Sequence, residues 1–163
     1  MKRHLAITAV MLLCSAVFFV VVCAGAGPVA VPLKGKWEGS ANFIFPAPSS
    51  CPADSVMQAI ATGKGIMTLT GASEYLSPVC CDAAGQCVGT AVITAANGDA
   101  LYLTVTHFFN PVTGDWSQSE VFIGGTGRFE DATGMSTSSG TSTFTGPTSD
   151  IWQGTTVGEI KFF

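Results

Sequence analysis

The sequence predicts an all-β protein, a single antiparallel β-barrel of about eight strands that follows a signal peptide. Charged residues make up 11% of the chain, whereas Gly, Ser and Thr are abundant and Pro or Gly recurs at short intervals. Such a composition is typical of domains built from many short strands. No segment beyond the N-terminal leader repeats apolar residues with the 3.6-residue period of an amphipathic helix. A closed barrel is favoured because it leaves no unpaired sheet edge.

The N-terminal residues 1–26 have the three parts of a signal peptide. Lys2 and Arg3 supply a positive charge, residues 5–22 form an uncharged apolar run, and residues 24–26 (Ala-Gly-Ala) provide the small residues that signal peptidase requires. We expect cleavage after Ala26 and a secreted protein, either extracellular or periplasmic. The apolar run of about 18 residues is near the lower limit for spanning a bilayer, so an uncleaved anchor is the alternative.

The remaining residues, 27–163, are enough for one domain with a single core. They carry all eleven acidic residues of the chain but only five basic ones, Lys34, Lys36, Lys64, Arg128 and Lys161. Their formal net charge is therefore −6. An acidic domain without a basic cluster is a poor binder of nucleic acids and of anionic membrane surfaces, since both are recognised through Lys and Arg.

Four cysteines lie in this domain, Cys51, Cys80, Cys81 and Cys87. Export to an oxidising compartment favours disulfides, and four cysteines allow three pairings. A bond between the adjacent Cys80 and Cys81 is disfavoured, so we expect one of them to join Cys87 and the other to join Cys51. A Cys80–Cys87 bond would close a hairpin end at residues 82–85. Zinc is the rival, but the spacing lacks the paired C-x2-C motifs of structural zinc sites, and we expect no metal and no cofactor.

Seven runs of strand-forming residues follow one another along the domain, at residues 37–45, 65–75, 87–95, 100–109, 116–123, 135–145 and 151–162. An irregular segment would supply an eighth strand. Prolines predict a loop at residues 46–52, and residues 54–61 could form a short helical turn capped by Asp54 or Ser55.

Two turns between these runs have a clear chemical basis. Asn97-Gly98-Asp99 is a hairpin signal, because Asn and Gly accept the positive φ that a primed turn requires. Residues 110–115 (Asn-Pro-Val-Thr-Gly-Asp) form another turn by their composition. Both connect successive strands in an antiparallel manner.

The segment 124–134, GGTGRFEDATG, lies between two of the strand-like runs. Its glycines permit positive φ and close backbone approach, which predicts a tight connection between two neighbouring strands. We expect Arg128 to pair with Glu130, Asp131 or a backbone carbonyl. A phosphate-binding loop is disfavoured because a Thr/Ser-rich strand, and not a helix, follows the segment. The residues assigned to this structural turn are Gly124, Gly125, Gly127, Arg128, Phe129 and Gly134.

The same segment resembles the GGTG-x-F-x-x-A-x-G signature of the allene oxide cyclase-like β-barrels, a family that includes the plant dirigent proteins and many small secreted bacterial proteins. The resemblance extends over about residues 37–163. It implies a barrel with one or two polar groups deep in an apolar lumen, a cyclase or isomerase activity, and assembly into homodimers or homotrimers. The chain departs from the family in its cysteine-bearing segment 80–87 and in the proline-rich loop before Cys51. No catalytic residue is carried over, because the matching motif is structural.

Two titratable residues are candidates for catalysis or ligand contact. His107, the only histidine of the domain, falls near the end of a predicted strand, where it could act as a general base near neutral pH. Glu120 shares a strand face with Gln118 and Phe122, and a carboxylate buried there could act as an acid or a base. The alternatives are a histidine that only packs in the core and a glutamate exposed on a strand.

Aromatic side chains are predicted to line an apolar cavity in the barrel, namely Trp37, Phe43, Phe109, Phe122 and Trp152. A small eight-stranded barrel either fills its interior with side chains or holds one small ligand. A membrane barrel is disfavoured because Glu159 and Lys161 would then face lipid.

Three functions are therefore considered for the domain. The leading hypothesis is the binding of a small apolar ligand in the lumen. The second is a cyclase or isomerase acting on a reactive apolar substrate, and the third is a structural or surface-interaction barrel with a filled core.

Overall fold

A computed structural model describes residues Val29–Phe162 and shows a closed antiparallel barrel of eight strands. The strands are β1 (Val29–Ile44), β2 (Met57–Met67), β3 (Gly71–Cys81), β4 (Gln86–Ala95), β5 (Ala100–Phe109), β6 (Asp115–Gly125), β7 (Thr133–Gly146) and β8 (Ser149–Phe162). Each strand pairs with its sequence neighbours, and β8 closes the barrel on β1. The predicted fold class is confirmed. The predicted signal peptide, residues 1–26, lies outside the described residues.

Alternation along each strand builds the barrel wall, as β5 illustrates. Leu101, Leu103 and Val105 point into the barrel and are buried, while Tyr102 and Thr104 between them are exposed. Because successive side chains in a strand point to opposite faces, every strand contributes one row to the lumen and one to the surface. In the part of the chain that the structure describes, no helix is long and apolar enough to cross a membrane.

Five of the seven predicted strands agree with the observed ones within two residues, and β1 begins eight residues before the predicted run 37–45. Two expectations about the segment 54–75 are wrong. The run 65–75 is not one strand, because it contains the turn between β2 and β3, where Gly71 has a φ of 65°. Residues 54–61 do not form a helical turn, because β2 begins at Met57 and pairs with both β1 and β3. Pairing on both sides of β2 outweighs the weak local preference for a helical turn.

The connections between strands gather at two ends of the barrel. At the end that we call closed lie residues 68–70, residues 96–99 and the segment 124–134. At the end that we call open lie residues 45–56, 82–85, 110–114 and 147–148. A packed apolar core fills the closed end. Five of its residues are each at most 2% exposed: Leu33, Met67, Leu101, Phe129 and Ile160.

The glycine-rich segment closes its end of the barrel. It joins β6 to the neighbouring β7, as the sequence predicts, through the 3-10 helix Gly127–Phe129. Gly124, Gly127 and Gly134 have positive φ, a conformation that other residues rarely adopt. The turn therefore folds back over the lumen and inserts Phe129, which is fully buried, as a plug.

Arg128 has a different partner from those expected. Its Nε lies 3.6 Å from a carboxylate oxygen of Asp99, and its guanidinium covers the Phe129 ring at 4.8 Å. The expected pairing with Glu130 or Asp131 is wrong, because the segment lies against the β4–β5 hairpin that carries Asp99. The ion pair connects two turns of the closed end.

The hairpin between β4 and β5 is present, but its turn is not primed. Among the described residues only glycines have positive φ, and in this turn Gly98 alone does so, at 89°. The Gly98 N–H donates to the Ala95 carbonyl at 2.9 Å, and the Asn97 side-chain oxygen accepts from the Asp99 N–H at 3.2 Å. Asn97 therefore acts through its side chain rather than through a left-handed backbone.

Two disulfides hold the open end. Cys81 bonds to Cys87 directly across the β3–β4 ladder, with Cα atoms 4.0 Å apart, and Cys51 bonds to Cys80. Cys87 thus pairs with Cys81 rather than Cys80, because the register of the hairpin places Cys81 opposite it. Neighbouring cysteines of one strand point to opposite faces, so one bond lies at the lumen and the other ties residues 45–56 to β3.

Candidate functional site

A cavity of about 90 Å³ lies in the lumen between the middle of the barrel and the open end. By its volume it has room for about three water molecules or a small organic group. Four of the predicted aromatic residues line it: Trp37, Phe43, Phe109 and Trp152. Phe122 instead packs in the apolar core, where it is 2% exposed.

Three phenylalanines narrow the mouth of this cavity. The Phe144 ring lies 5.9 Å from that of Phe43 and 5.7 Å from that of Phe109, measured between centroids. Phe43 and Phe109 line the cavity and Phe144 is half exposed, so the cluster lies between the cavity and solvent. Rotation of these side chains would widen the entrance without any change in the backbone.

Glycines in the barrel wall make room for the large rings of the lumen. Gly39 and Gly63 are paired across β1 and β2, and a Cβ at either position would lie 2.7 Å from the ring of Trp152. Gly140 and Gly154 are paired across β7 and β8 in the same way, beneath Trp116. The glycine pairs therefore determine where the tryptophans lie and how much lumen remains empty.

Glu120 lies at the inner part of the cavity and is 4% exposed. Its carboxylate accepts hydrogen bonds from the Gln118 amide at 2.6 Å, from the Ser138 hydroxyl at 2.7 Å and from the Ser136 hydroxyl. A buried carboxylate is tolerated only where such donors replace water. Of the two positions that the sequence left open for Glu120, the structure shows the buried one, and the donors come from the neighbouring strand β7 as well as from β6.

A chain of hydroxyl groups extends from Glu120 across the lumen. The Trp37 indole N–H donates to the Thr156 hydroxyl at 3.1 Å, and that hydroxyl lies 2.6 Å from the hydroxyl of Ser138. Because Ser138 gives its proton to Glu120, Thr156 must be the donor to Ser138. The proton donors of this chain all point towards the carboxylate.

Gln118 connects Glu120 to two further titratable side chains. Its amide nitrogen also lies 3.1 Å from the Tyr75 oxygen, and its amide oxygen lies 3.3 Å from Nδ1 of His107. Because an amide oxygen can only accept, Nδ1 of His107 carries the proton. Burial raises the pKa of Tyr75 to about 12, so the phenol stays protonated at neutral pH.

His107 lies beside the cavity, stacked on Trp116 with ring centroids 5.9 Å apart. Burial lowers the pKa of His107, and the hydrogen bond to Gln118 opposes this shift. The imidazole is therefore neutral at neutral pH. The structure brings together the two candidate residues, Glu120 and His107, through the amide of Gln118.

Asp150 is a site residue that the sequence reasoning missed. It is 4% exposed, lines the cavity near the open end, and accepts a hydrogen bond from the Ala41 N–H at 3.0 Å. Burial raises the pKa of Asp150, while hydrogen bonds from Ser142 and Ala41 oppose the shift. Its spacing of two residues from Trp152 becomes a signal only once β8 is known to begin at Ser149, because alternation then puts both on the lumen face.

The cavity has a distinct charge pattern. Among the described residues that line it, Glu120 and Asp150 are acidic and none is Lys or Arg. The lysines of the described chain, Lys34, Lys36, Lys64 and Lys161, are exposed on the outer surface. Within residues Val29–Phe162 no cluster of three His, Cys, Asp or Glu residues is arranged to hold a metal ion.

Comparison with known proteins gives a likeness of fold. No protein-family model and no curated protein matches the sequence. The structure is similar to that of a solved pterocarpan synthase dirigent protein, with a TM-score of 0.58, 10% sequence identity, and coverage of 83% of this chain and 86% of that chain. At this identity the likeness concerns the fold and leaves the activity open. The chain therefore has the eight-stranded barrel fold of the dirigent-type proteins, as its glycine-rich segment predicts.

Proposed function

We propose that the chain is a secreted barrel protein that binds one small, neutral, mainly apolar molecule in its lumen, with the open end as the entrance. The observation that carries the proposal is the cavity itself. One end of the barrel is sealed by Phe129 and its neighbours, whereas the other keeps an apolar space behind a cluster of three phenylalanine rings. Binding sites for small molecules have this construction, a mostly apolar wall with a few polar groups.

The charge pattern supports a neutral ligand. An anion would meet the carboxylates of Glu120 and Asp150 without a basic group in the described lining to compensate. Two buried like charges in a medium of low polarity repel strongly. The hydrogen bonds that already surround Glu120 leave the apolar wall as the main source of affinity.

The disulfides support export. Such bonds persist in oxidising compartments and are rare in the cytosol. Cys51–Cys80 and Cys81–Cys87 both lie at the open end, where they hold the rim of the entrance in place. The signal peptide predicted at residues 1–26 agrees with this location, either extracellular or periplasmic.

Native mass spectrometry of the exported protein, purified from its own secretory route, tests the proposal. We expect extra mass that leaves on denaturation, and the same spectrum reports whether the protein is a monomer, a homodimer or a homotrimer. Ala59→Leu fills the cavity from β2 and should abolish the bound mass. Ala72→Leu is the matched control, because Ala72 faces solvent. Bound mass that persists in A59L would contradict a lumenal site, and a protein that takes up no neutral ligand at all would contradict the proposal.

A second candidate function is isomerase-type proton transfer, and the linkage of Glu120, His107 and Tyr75 through Gln118 favours it. The Glu120 carboxylate would remove a proton from the carbon next to a carbonyl group and return it at another position of the substrate, so that the product is an isomer. Incubating the protein with cyclopentanone in D2O tests this reading by NMR. Faster exchange of the α-protons than with Glu120→Gln would support an enzyme. Equal rates would leave binding as the function.

A further inference from the structure

Two tryptophan N–H groups of the cavity have no protein partner. Nε1 of Trp116 and Nε1 of Trp152 are both buried, and neither meets an acceptor within residues Val29–Phe162. Trp116 as a whole is only 9% exposed. Buried polar groups in native proteins are nearly always hydrogen-bonded, so two unpaired donors in one cavity need an explanation.

The third tryptophan shows that the fold can satisfy such a group. Trp37 lines the same cavity, and its indole N–H donates to Thr156 at 3.1 Å. Serine and threonine hydroxyls are thus available in this lumen. The fold provides one for Trp37 but none for Trp116 or Trp152.

The two rings that carry these donors lie next to each other on different strands. Trp116 belongs to β6 and Trp152 to β8, their ring centroids are 6.0 Å apart, and their planes are perpendicular. Both rings line the cavity and rest on glycine pairs of the wall. An acceptor that enters this cavity and reaches both N–H groups would satisfy them.

Resting on the proposed lumenal binding, we infer that the ligand is a neutral carbonyl compound whose oxygen accepts hydrogen bonds from the indole N–H groups of Trp116 and Trp152. A hydrocarbon would leave both donors unpaired. A carboxylate would supply an acceptor but would bring a negative charge towards Glu120 and Asp150. A ketone or a similar neutral carbonyl group satisfies both conditions.

The test uses two probes of nearly equal shape on the exported protein labelled with ¹⁵N at its tryptophans. Cyclopentanone carries the carbonyl, and methylenecyclopentane replaces its oxygen by a CH₂ group. We expect the ketone to bind about a hundredfold more tightly, because it satisfies two buried donors and each contributes about tenfold. The indole signals of Trp116 and Trp152 should move downfield with the ketone alone. The signal of Trp37 should stay in place, because its N–H is already bonded.

Substitutions complete the test. Trp116→Phe and Trp152→Phe should each weaken ketone binding about tenfold while leaving the affinity for the hydrocarbon nearly unchanged. Equal affinity for the two probes, with unshifted indole signals, would overturn this inference and leave lumenal binding intact. Binding of neither probe would overturn the proposed function and this inference with it. Cyclopentanecarboxylate that binds at neutral pH as tightly as the ketone would overturn the requirement for neutrality.

Discussion

The two ends of the barrel are built from the same alternating strands but differ in how they are closed. At the closed end the chain itself folds over the lumen, and Phe129 is fully buried among apolar neighbours. At the open end the strands are joined around the rim, and the half-exposed Phe144 lies over the entrance with two other rings. A segment of the chain covers the lumen at the closed end, whereas only side chains cover it at the open end.

The two ends also differ in their polar content. Both buried carboxylates, Glu120 and Asp150, lie in the half of the barrel that contains the cavity. Buried carboxylates lower stability unless donors surround them, and the open half provides these donors from several strands. The closed end therefore stabilises the fold, and the open half contains the proposed binding site.

The largest expected effect comes from emptying the closed end. Phe129→Ala should lower the free energy of unfolding by about 3–5 kcal/mol, because it removes a fully buried ring and leaves a cavity in the plug. Phe144→Ala at the open end should cost about 1 kcal/mol or less, because half of that ring is already exposed. Urea denaturation of both variants measures the difference. Equal losses would show that the two ends are closed in the same way.

A smaller effect is expected where the wall supports the tryptophans. Gly63→Ala places a Cβ 2.7 Å from the Trp152 ring, which must move or strain the wall, and we expect a loss of about 1–3 kcal/mol. Gly146→Ala is the control, because its Cβ would meet only the Ser149 hydroxyl, at 3.1 Å. Thermal unfolding with tryptophan fluorescence follows both stability and ring position. A harmless G63A would mean that the ring position does not depend on the glycine pair.

Trp37, whose indole N–H is hydrogen-bonded, and Trp116, whose N–H is not, should also differ in the stability lost on substitution. Trp37→Phe loses the hydrogen bond to Thr156, whereas Trp116→Phe loses no hydrogen bond to the protein. We therefore expect W37F to cost about 1 kcal/mol more than W116F in the unliganded protein. Chemical denaturation of the two variants side by side provides the comparison. An equal cost would indicate that the Thr156 contact contributes nothing to stability.

The smallest effect is expected from pH and Asp150. The folded pKa of Asp150 is raised above the usual value of 3.8, so the folded state binds the proton more tightly than the unfolded chain. Stability is therefore lost as the pH rises from 3.8 through the folded pKa. The melting temperature of Asp150→Asn should rise relative to that of the parent over this window and keep that relative gain at neutral pH. Asp115→Asn provides the comparison for an exposed carboxylate of the same end, and a constant difference for D150N would contradict the shift.

Much of the wall could be predicted from local pattern. The predicted strand 100–109 coincides with β5, because a strict apolar alternation lies between two turns with recognisable residues. The prediction of one strand over residues 65–75 was wrong, because the threonine and leucine residues of the β2–β3 turn favour strands as much as their neighbours do. The predicted partner of Arg128 was wrong for another reason. Asp99 is 29 residues away in the sequence and becomes adjacent only when two turns meet in the folded barrel.

The candidate site was predicted only in part. The sequence leaves open whether Glu120 is buried or exposed and whether His107 contacts a ligand, and it does not reveal that Gln118 connects them. Asp150 was not predicted, because it follows a turn of Pro, Thr and Ser at the start of β8, where local sequence does not show which face it occupies. The unpaired indole N–H groups of Trp116 and Trp152 could not be predicted, because the absence of an acceptor can be recognised only when all neighbouring strands are in place.

Strand alternation and the turns that need glycine could be predicted from the sequence, because each depends on residues close together in the chain. The folded barrel is needed to show which end is sealed, how large the cavity is and which donors remain unpaired. These properties depend on register and closure, which bring residues more than a hundred positions apart, such as Trp37 and Thr156, into contact. The local sequence predicts the strands of the barrel wall, whereas the cavity that they enclose can be described only in the closed barrel.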